Sequence, residues 1–163
     1  MPTIDQSLII NAPNGRVFDL ARSIDAHTAS TSQTGERAIG GRTSGLIELG
    51  ERVRWEARHF GITQQLEVEI TQFERPHMFE DTMIGGAFKS FTHQHYFSET
   101  SGVTTMRDVF NFRAPLGVLG RMAEYLFLKR YMERFLQFRN EYVKEIAESS
   151  DWKRYLHSNG SCT

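Results

Sequence analysis

The sequence predicts an α+β domain: a curved antiparallel sheet of about six or seven strands wrapped around one long C-terminal helix, with one or two short helices after the first strand. Three observations carry this expectation. From residue 51 to 113, segment after segment alternates apolar and polar side chains at period two, with hairpin-length breaks between them. After Pro115-Leu116-Gly117 the period changes to that of a helix and holds to about residue 148. Each strand leaves one apolar face uncovered, and the aromatic stripe of the last helix is the large apolar surface that remains to cover them.

The first strand is read over residues 3–11, where Ile4, Gln6, Leu8 and Ile10 share a face. Pro13 and Gly15 break it, and Val17, Phe18, Leu20, Ala21 and Ile24 then recur at roughly helical spacing, which predicts one or two short helices across 13–30. Gly35, Gly40, Gly41, Gly45 and Gly50 follow. No Gly-Lys-Ser/Thr ending accompanies them, so they are read as turns and bulges between short strands rather than a phosphate loop.

Residues 51–60 place Val53, Trp55, Ala57 and His59 on one face, and Arg52, Arg54, Glu56 and Arg58 on the other. Residues 63–73 turn Leu66, Val68 and Ile70 inward and Glu67 and Glu69 outward. Residues 77–84 align Phe79, Asp81 and Met83; residues 87–98 align Phe91, His93, His95 and Phe97; residues 104–113 align Met106, Asp108, Phe110 and Phe112. Turn signals at Gly61, Arg75-Pro76, Gly85-Gly86 and Glu99-Thr100-Ser101-Gly102 join them into an antiparallel meander. The outer arginine row beside Glu67 and Glu69 is expected to form cross-strand charge pairs.

From 118 to 148 the sequence predicts one helix of about 30 residues, on the order of 45 Å long. Phe127, Tyr131, Phe135, Phe138, Tyr142 and Ile146 form its apolar stripe, flanked by Leu128, Met132, Leu136 and Val143. Lys129, Glu133, Gln137, Asn140, Lys144 and Glu148 run along the opposite face. Residues 1–148 form a single domain, and 149–163 are expected to be a flexible tail.

The near-balance of 19 Lys+Arg against 20 Asp+Glu gives no reason to expect nucleic acid as a partner. No hydrophobic stretch approaches the length of a membrane span, and no signal peptide is read. The single cysteine, Cys162, forms no internal disulfide, which suits a reducing, cytoplasmic setting. The Asn159-Gly160-Ser161 triplet is read as a chance match to a glycosylation acceptor.

The order of elements resembles the START-like, helix-grip superfamily of polyketide cyclase/dehydrase and lipid-transport proteins (SRPBCC). The stretches that carry the resemblance are INAPNGRVFDLARSIDAH, GLIELGERVRWEARHFG, FKSFTHQHYFSE and TTMRDVFNFRAPLG, in this order, over residues 3 to about 146. The resemblance implies a hydrophobic cavity between sheet and helix, but no particular activity, because the superfamily contains carriers, receptors and aromatase/cyclases.

Two imidazoles at alternate strand positions, His93 and His95, lie roughly 6.5–7 Å apart at Cα. Such a pair can occupy two corners of a zinc tetrahedron, with His59, Asp81 or Asp108 as third ligand. No strict spacing names that third ligand, so no metal and no cofactor is expected. If Phe97 opposes Met106, then His95 opposes Asp108, His93 opposes Phe110 and Phe91 opposes Phe112. Opposed side chains lie about 5 Å apart at Cβ, so His95 and Asp108 are expected to meet. The reading preferred from sequence is a binding protein for a small apolar, aromatic or lipid-like molecule, its cavity lined by Trp55, His59, Phe79, Phe91, His93, His95, Asp108, Phe110, Phe127, Tyr131 and Phe135. The alternative is a cyclase/dehydrase-like enzyme in which His95 is a general acid/base oriented by Asp108. A homodimer is weighed as a third role, against which the charged outer strand faces argue.

Overall fold

The structure is a computed structural model and describes residues 1–115, 117–123 and 127–156. The chain runs β1 (Thr3–Ile10), α1 (Asn14–Ala21), α2 (Ile24–Ser30), β2 (Arg37–Gly41), β3 (Arg52–His59), β4 (Ile62–Glu74), β5 (Met78–Gly86), β6 (Ser90–Thr100), β7 (Val103–Arg113), α3 (Gly117–Ala123), α4 (Lys129–Glu148) and α5 (Trp152–Leu156). The sheet has seven strands in the order β1-β7-β6-β5-β4-β3-β2, each antiparallel to its neighbours. From β2 to β7 the strands follow one another as a meander, and β1 closes one edge against β7.

The alternation read from the sequence is the alternation of burial. Val53, Trp55 and Ala57 on β3, Phe91, His93, His95 and Phe97 on β6, and Met106, Asp108, Phe110 and Phe112 on β7 are all buried. The β6–β7 register is the expected one: Phe97 pairs with Met106, His95 with Asp108, His93 with Phe110 and Phe91 with Phe112. The outer face carries the expected charge pairs, Arg52 with Glu69 at 2.6 Å and Arg54 with Glu67 at 3.1 Å. The glycine-rich segment contains β2, which pairs with β3 across a shift between Ala38 and Gly40.

Phe18 of α1 sits at the centre of one end of the core. Its ring meets Phe73, Phe79 and Phe97 edge-on, with centroids 5.3 to 5.4 Å apart. At the other end Phe88, Phe91, Phe110 and Phe112 form a second ring cluster. α4 crosses between these ends, and backbone contacts fix it on both sides. Gln6 Nε2 donates to Glu133 O at 2.9 Å, Lys144 Nζ to Ile9 O at 2.8 Å, and Arg139 Nη2 to Ala21 O at 3.1 Å.

The C-terminal region departs from expectation in four ways. The helix expected from 118 to 148 is described as α3 and α4, with Phe127 and Leu128 in a wider π turn just before α4; a continuous amphipathic pattern does not report such a local insertion. The buried face of α4 is Met132, Leu136, Arg139, Asn140, Val143, Ile146 and Ala147, rotated from the expected stripe. Phe127 and Phe138 are 51% and 46% exposed, and Asn140, placed on the solvent side by its polarity, is buried. Over Trp152–Leu156 the expected tail is a helix, α5. It docks because Tyr155 shares a hydroxyl hydrogen bond of 2.8 Å with Tyr142, and the Arg16 guanidinium lies 4.3 Å from the Trp152 ring. Cys162 and the Asn159-Gly160-Ser161 triplet lie outside the described residues.

Gly86 ends β5 at φ +132, where β4 runs so close that a Cβ would collide with the backbone of Gln65 and Leu66. Gly86→Ala is expected to destabilise the fold by about 1–3 kcal/mol or more, measured by urea unfolding. A midpoint unchanged from the native protein would contradict this close approach.

Candidate functional site

Two features of the interior carry polar side chains among apolar ones: an aromatic cavity at the N-terminal end of α4, and a buried charge cluster beneath the middle of α4. The cavity has a volume of about 310 Å³. β3 and β4 supply Trp55, Ala57, His59, Gln64, Gln65 and Leu66; the β5–β6 connection supplies Ala87 and Phe88; the helical side supplies Leu119, Phe127, Leu128, Tyr131, Met132 and Phe135. Strand alternation explains the first group, since Trp55, Ala57 and His59 share the inner face of β3. The helical group follows from i, i+4 spacing of Phe127, Tyr131 and Phe135.

Several polar side chains of the cavity are paired. His59 Nδ1 lies 2.6 Å from Tyr131 Oη. Glu36, nine-tenths buried, bonds His27 Nε2 at 3.2 Å, and the His27 ring stacks on Trp55 at 4.2 Å. Burial lowers the His59 pKa, with Glu36 pulling weakly the other way, so the ring is neutral at pH 7. Burial and the nearby Glu36 charge raise the Tyr131 pKa, which keeps its hydroxyl protonated. Burial alone would raise the Glu36 pKa, but the charge and hydrogen bond of His27 outweigh it and hold the carboxyl below its usual range.

The second feature is built on three neighbouring strands. Asp81 of β5 opposes His93 of β6, and His95 of β6 opposes Asp108 of β7. His95 Nδ1 is 2.7 Å from Asp108 Oδ1 and its Nε2 is 3.0 Å from Asp81 Oδ1. Asn140 of α4 donates Nδ2 to Asp108 Oδ2 at 2.6 Å. Phe79 stacks on the His95 ring at 4.2 Å. His93 lies 3.9 Å from His95 between ring centroids, and its Nε2 has no hydrogen-bond partner.

Burial disfavours every charge here, yet at His95, Asp81 and Asp108 the pairs outweigh it. Burial would lower the His95 pKa, but the Asp108 charge and the hydrogen bonds to Asp108 and Asp81 raise it, so His95 is the cation of the cluster. Burial would raise Asp81 and Asp108; hydrogen bonds from His95 and the charges around it hold both below the usual carboxylate range. Arg139 adds a second cation to these two carboxylates. His93 is neutral: burial, then the His95 charge, push its pKa down to about 3.

The residues expected from sequence to form one site therefore separate. Trp55, His59, Phe127, Tyr131 and Phe135 line the aromatic cavity. Phe79 and His93, with Asp81 and Arg139, line a smaller cavity of about 70 Å³ on the far side of Trp55. His95 and Asp108 meet as expected, but at 1% exposure each they line neither cavity, and the same holds for Phe91 and Phe110 in the core. Period-two alternation assigns a face; it carries no information about where along a strand the packing opens. Sequence reasoning misses Glu36, Arg139 and Asn140 as site residues. For Asn140 a signal exists, since 136, 140, 143 and 147 share one helical face.

The family comparison bears on this arrangement. Residues 1–148 match the family described as polyketide cyclase / dehydrase and lipid transport. The chain belongs to that family. A search of curated proteins found no match. Solved structures share the fold at low identity. TTHA0849 from Thermus thermophilus is 18% identical, with a TM-score of 0.68, covering 87% of this chain and 97% of that one. Ginseng major latex-like protein 151 from Panax ginseng is 13% identical, with a TM-score of 0.65 and coverages of 91% and 98%. A START superfamily protein from Mycobacterium smegmatis is 10% identical, with a TM-score of 0.67 and coverages of 90% and 97%. These likenesses establish the helix-grip fold. Among the described residues no helix is long and apolar enough to cross a membrane.

The lowered pKa of His93 has a consequence for stability. Below its ordinary value of 6.5 the unfolded chain takes up a proton that the folded chain refuses until about pH 3. This group therefore removes stability as pH falls through that window. Urea unfolding at a series of pH values is expected to show a shallower loss of stability in His93→Gln than in the native protein. Equal slopes in the two proteins would contradict the assignment.

Proposed function

We propose that this protein binds a small apolar, ring-bearing molecule in the cavity between β3, β4 and the start of α4. The observation that carries this reading is the cavity's lining: a volume of about 310 Å³ bounded by Trp55, Phe88, Phe127, Leu128, Tyr131 and Phe135, with polar atoms confined to a few side chains. That combination, mostly apolar walls with a few orienting groups, is the usual chemistry of small-molecule sites. Tyr131 Oη and His59 supply a donor and an acceptor for a hydroxyl or carbonyl on the ligand, while the rings supply its apolar contacts. Membership of a family described by cyclisation, dehydration and lipid transport is consistent with such a guest.

The enzyme alternative changes its residues. His95 and Asp108 line neither cavity, so a substrate in the aromatic cavity does not touch them. His59 and Tyr131, with Glu36, are the titratable groups that do face it, and the first two are hydrogen-bonded to each other. Turnover of a poly-keto substrate, if it occurs there, falls on His59→Gln and survives in folded Asp108→Asn; the reverse pattern would restore the buried pair to the chemistry.

Binding is testable by fluorescence. Trp152→Phe leaves Trp55 as the single indole of the two in the chain. Anilinonaphthalene sulfonate is expected to bind this variant saturably and accept energy from Trp55. Phe135→Ala in the same background is expected to weaken binding about tenfold, roughly 1.4 kcal/mol, whereas Phe138→Ala, on the exposed side of α4, leaves it unchanged. Absence of saturable transfer from Trp55 in the folded protein would overturn the reading.

A further inference from the structure

We propose that Asp81, His93 and His95 form a binding site for one divalent transition-metal ion of the zinc or iron(II) class. The site is separate from the aromatic cavity, so this inference and the binding function fail independently.

The geometry of the two imidazoles is the argument. Their inner nitrogens face one carboxylate oxygen: His95 Nε2 is 3.0 Å and His93 Nδ1 is 3.9 Å from Asp81 Oδ1. One ligand atom from each of the three residues lies within 4.8 Å of the others. Bonds of about 2.0–2.2 Å around a tetrahedral ion place its donors roughly 3–3.5 Å apart, so side-chain adjustments of an ångström or so close the set. Their outer nitrogens both face a second carboxylate: His95 Nδ1 is 2.7 Å from Asp108 Oδ1, and His93 Nε2 is 3.8 Å from Asp108 Oδ2. A ligating imidazole characteristically hands its other N–H to a carboxylate in this way, which fixes the tautomer and ring orientation. Asp108 is itself held by Asn140 at 2.6 Å.

A second observation concerns the buried imidazole of His93. His93 is 5% exposed, and Nε2 is without a hydrogen-bond partner while Nδ1 stands beyond hydrogen-bond reach of Asp81. A buried imidazole left this way is unusual in a folded interior. An ion bound at Nδ1 would put the proton on Nε2, facing Asp108. Asp81 and His93 also line the 70 Å³ cavity beside Arg139, which leaves room for water in the remaining coordination positions. Two histidines and one carboxylate with open positions match the ligand preferences of zinc and iron(II). The ion replaces the proton now held between His95 Nε2 and Asp81, which leaves to solvent. Asp81 and Asp108 offset the charge that Arg139 brings near the ion.

This reverses the expectation of no metal drawn from sequence, where nothing singled out Asp81 as the third ligand. The pairing of Asp81 with His93 across β5 and β6 supplies it.

Titration of the native protein with Co²⁺, followed by visible absorption, tests the site. The expected result is one equivalent bound, with the d–d bands of a four- or five-coordinate ion, and their loss on adding Zn²⁺. His93→Gln and Asp81→Asn are each expected to weaken binding by about 100-fold or more, and Asp108→Asn by about 10–100-fold; His59→Gln leaves it unchanged. A native protein that shows only the spectrum of hydrated Co²⁺ would overturn the proposal without any variant having to fold. So would bands of equal strength in native protein and in folded His93→Gln and Asp81→Asn.

Discussion

The carboxylate of Asp108 is the buried point at which the middle of the sheet and α4 are joined through side chains. It is buried on β7, takes His95 from β6 on one oxygen and Asn140 from α4 on the other. Burial of an unpaired carboxylate costs several kcal/mol, so once β7 carries an aspartate on its inner face, α4 must bring a donor to that position. Leu136 and Val143 flank Asn140 on the same face of α4, and their burial against the sheet accompanies the polar contact. Apolar burial drives the helix onto the sheet, while the hydrogen bond decides where along its length it sits.

This placement leaves the two ends of α4 in different environments. The C-terminal half packs against α1, α5 and β1, through Lys144 to Ile9 and Tyr142 to Tyr155. The N-terminal half, with the π turn before it, stands off from β3 and β4, and the space between is the aromatic cavity. Phe91, Phe110 and Phe112 fill the interior beside it, which is why the cavity does not extend along the whole helix. Trp55 separates the aromatic cavity from the smaller one, contributing to both walls. A polar cluster and an apolar chamber thus share one interior without sharing side chains other than this indole, and each can be perturbed alone.

Much of the fold was legible because its signals are local. The β6–β7 register follows from period-two faces joined by a short turn, so the meeting of His95 with Asp108 is legible in the sequence. The meander, the short helices after β1 and the grip of a C-terminal helix were legible for the same reason. Other features depend on partners distant in the chain. Asn140 looks solvated unless Asp108 is known to lie beneath it. Trp152 and Tyr155 look like tail until Arg16 and Tyr142 are placed beside them. Phe91 and Phe110 share the face that lines the chamber elsewhere, and their depth in the core is set by Phe88 on a neighbouring connection. The convergence of Asp81 with the two imidazoles requires the β5–β6 register across the Ala87-Phe88-Lys89 connection, where one extra residue would turn Asp81 outward.

The central claim is that Asp108 and Asn140 act together as the clasp between sheet and helix. A double-mutant cycle with Asp108→Ala and Asn140→Ala, read by urea unfolding near neutral pH, measures it most directly. The account predicts a coupling of about 1–3 kcal/mol, with the second substitution costing much less once the first is made. Additivity within about 0.3–0.5 kcal/mol would mean that the two side chains do not act on one another, and that this pair is no clasp between sheet and helix.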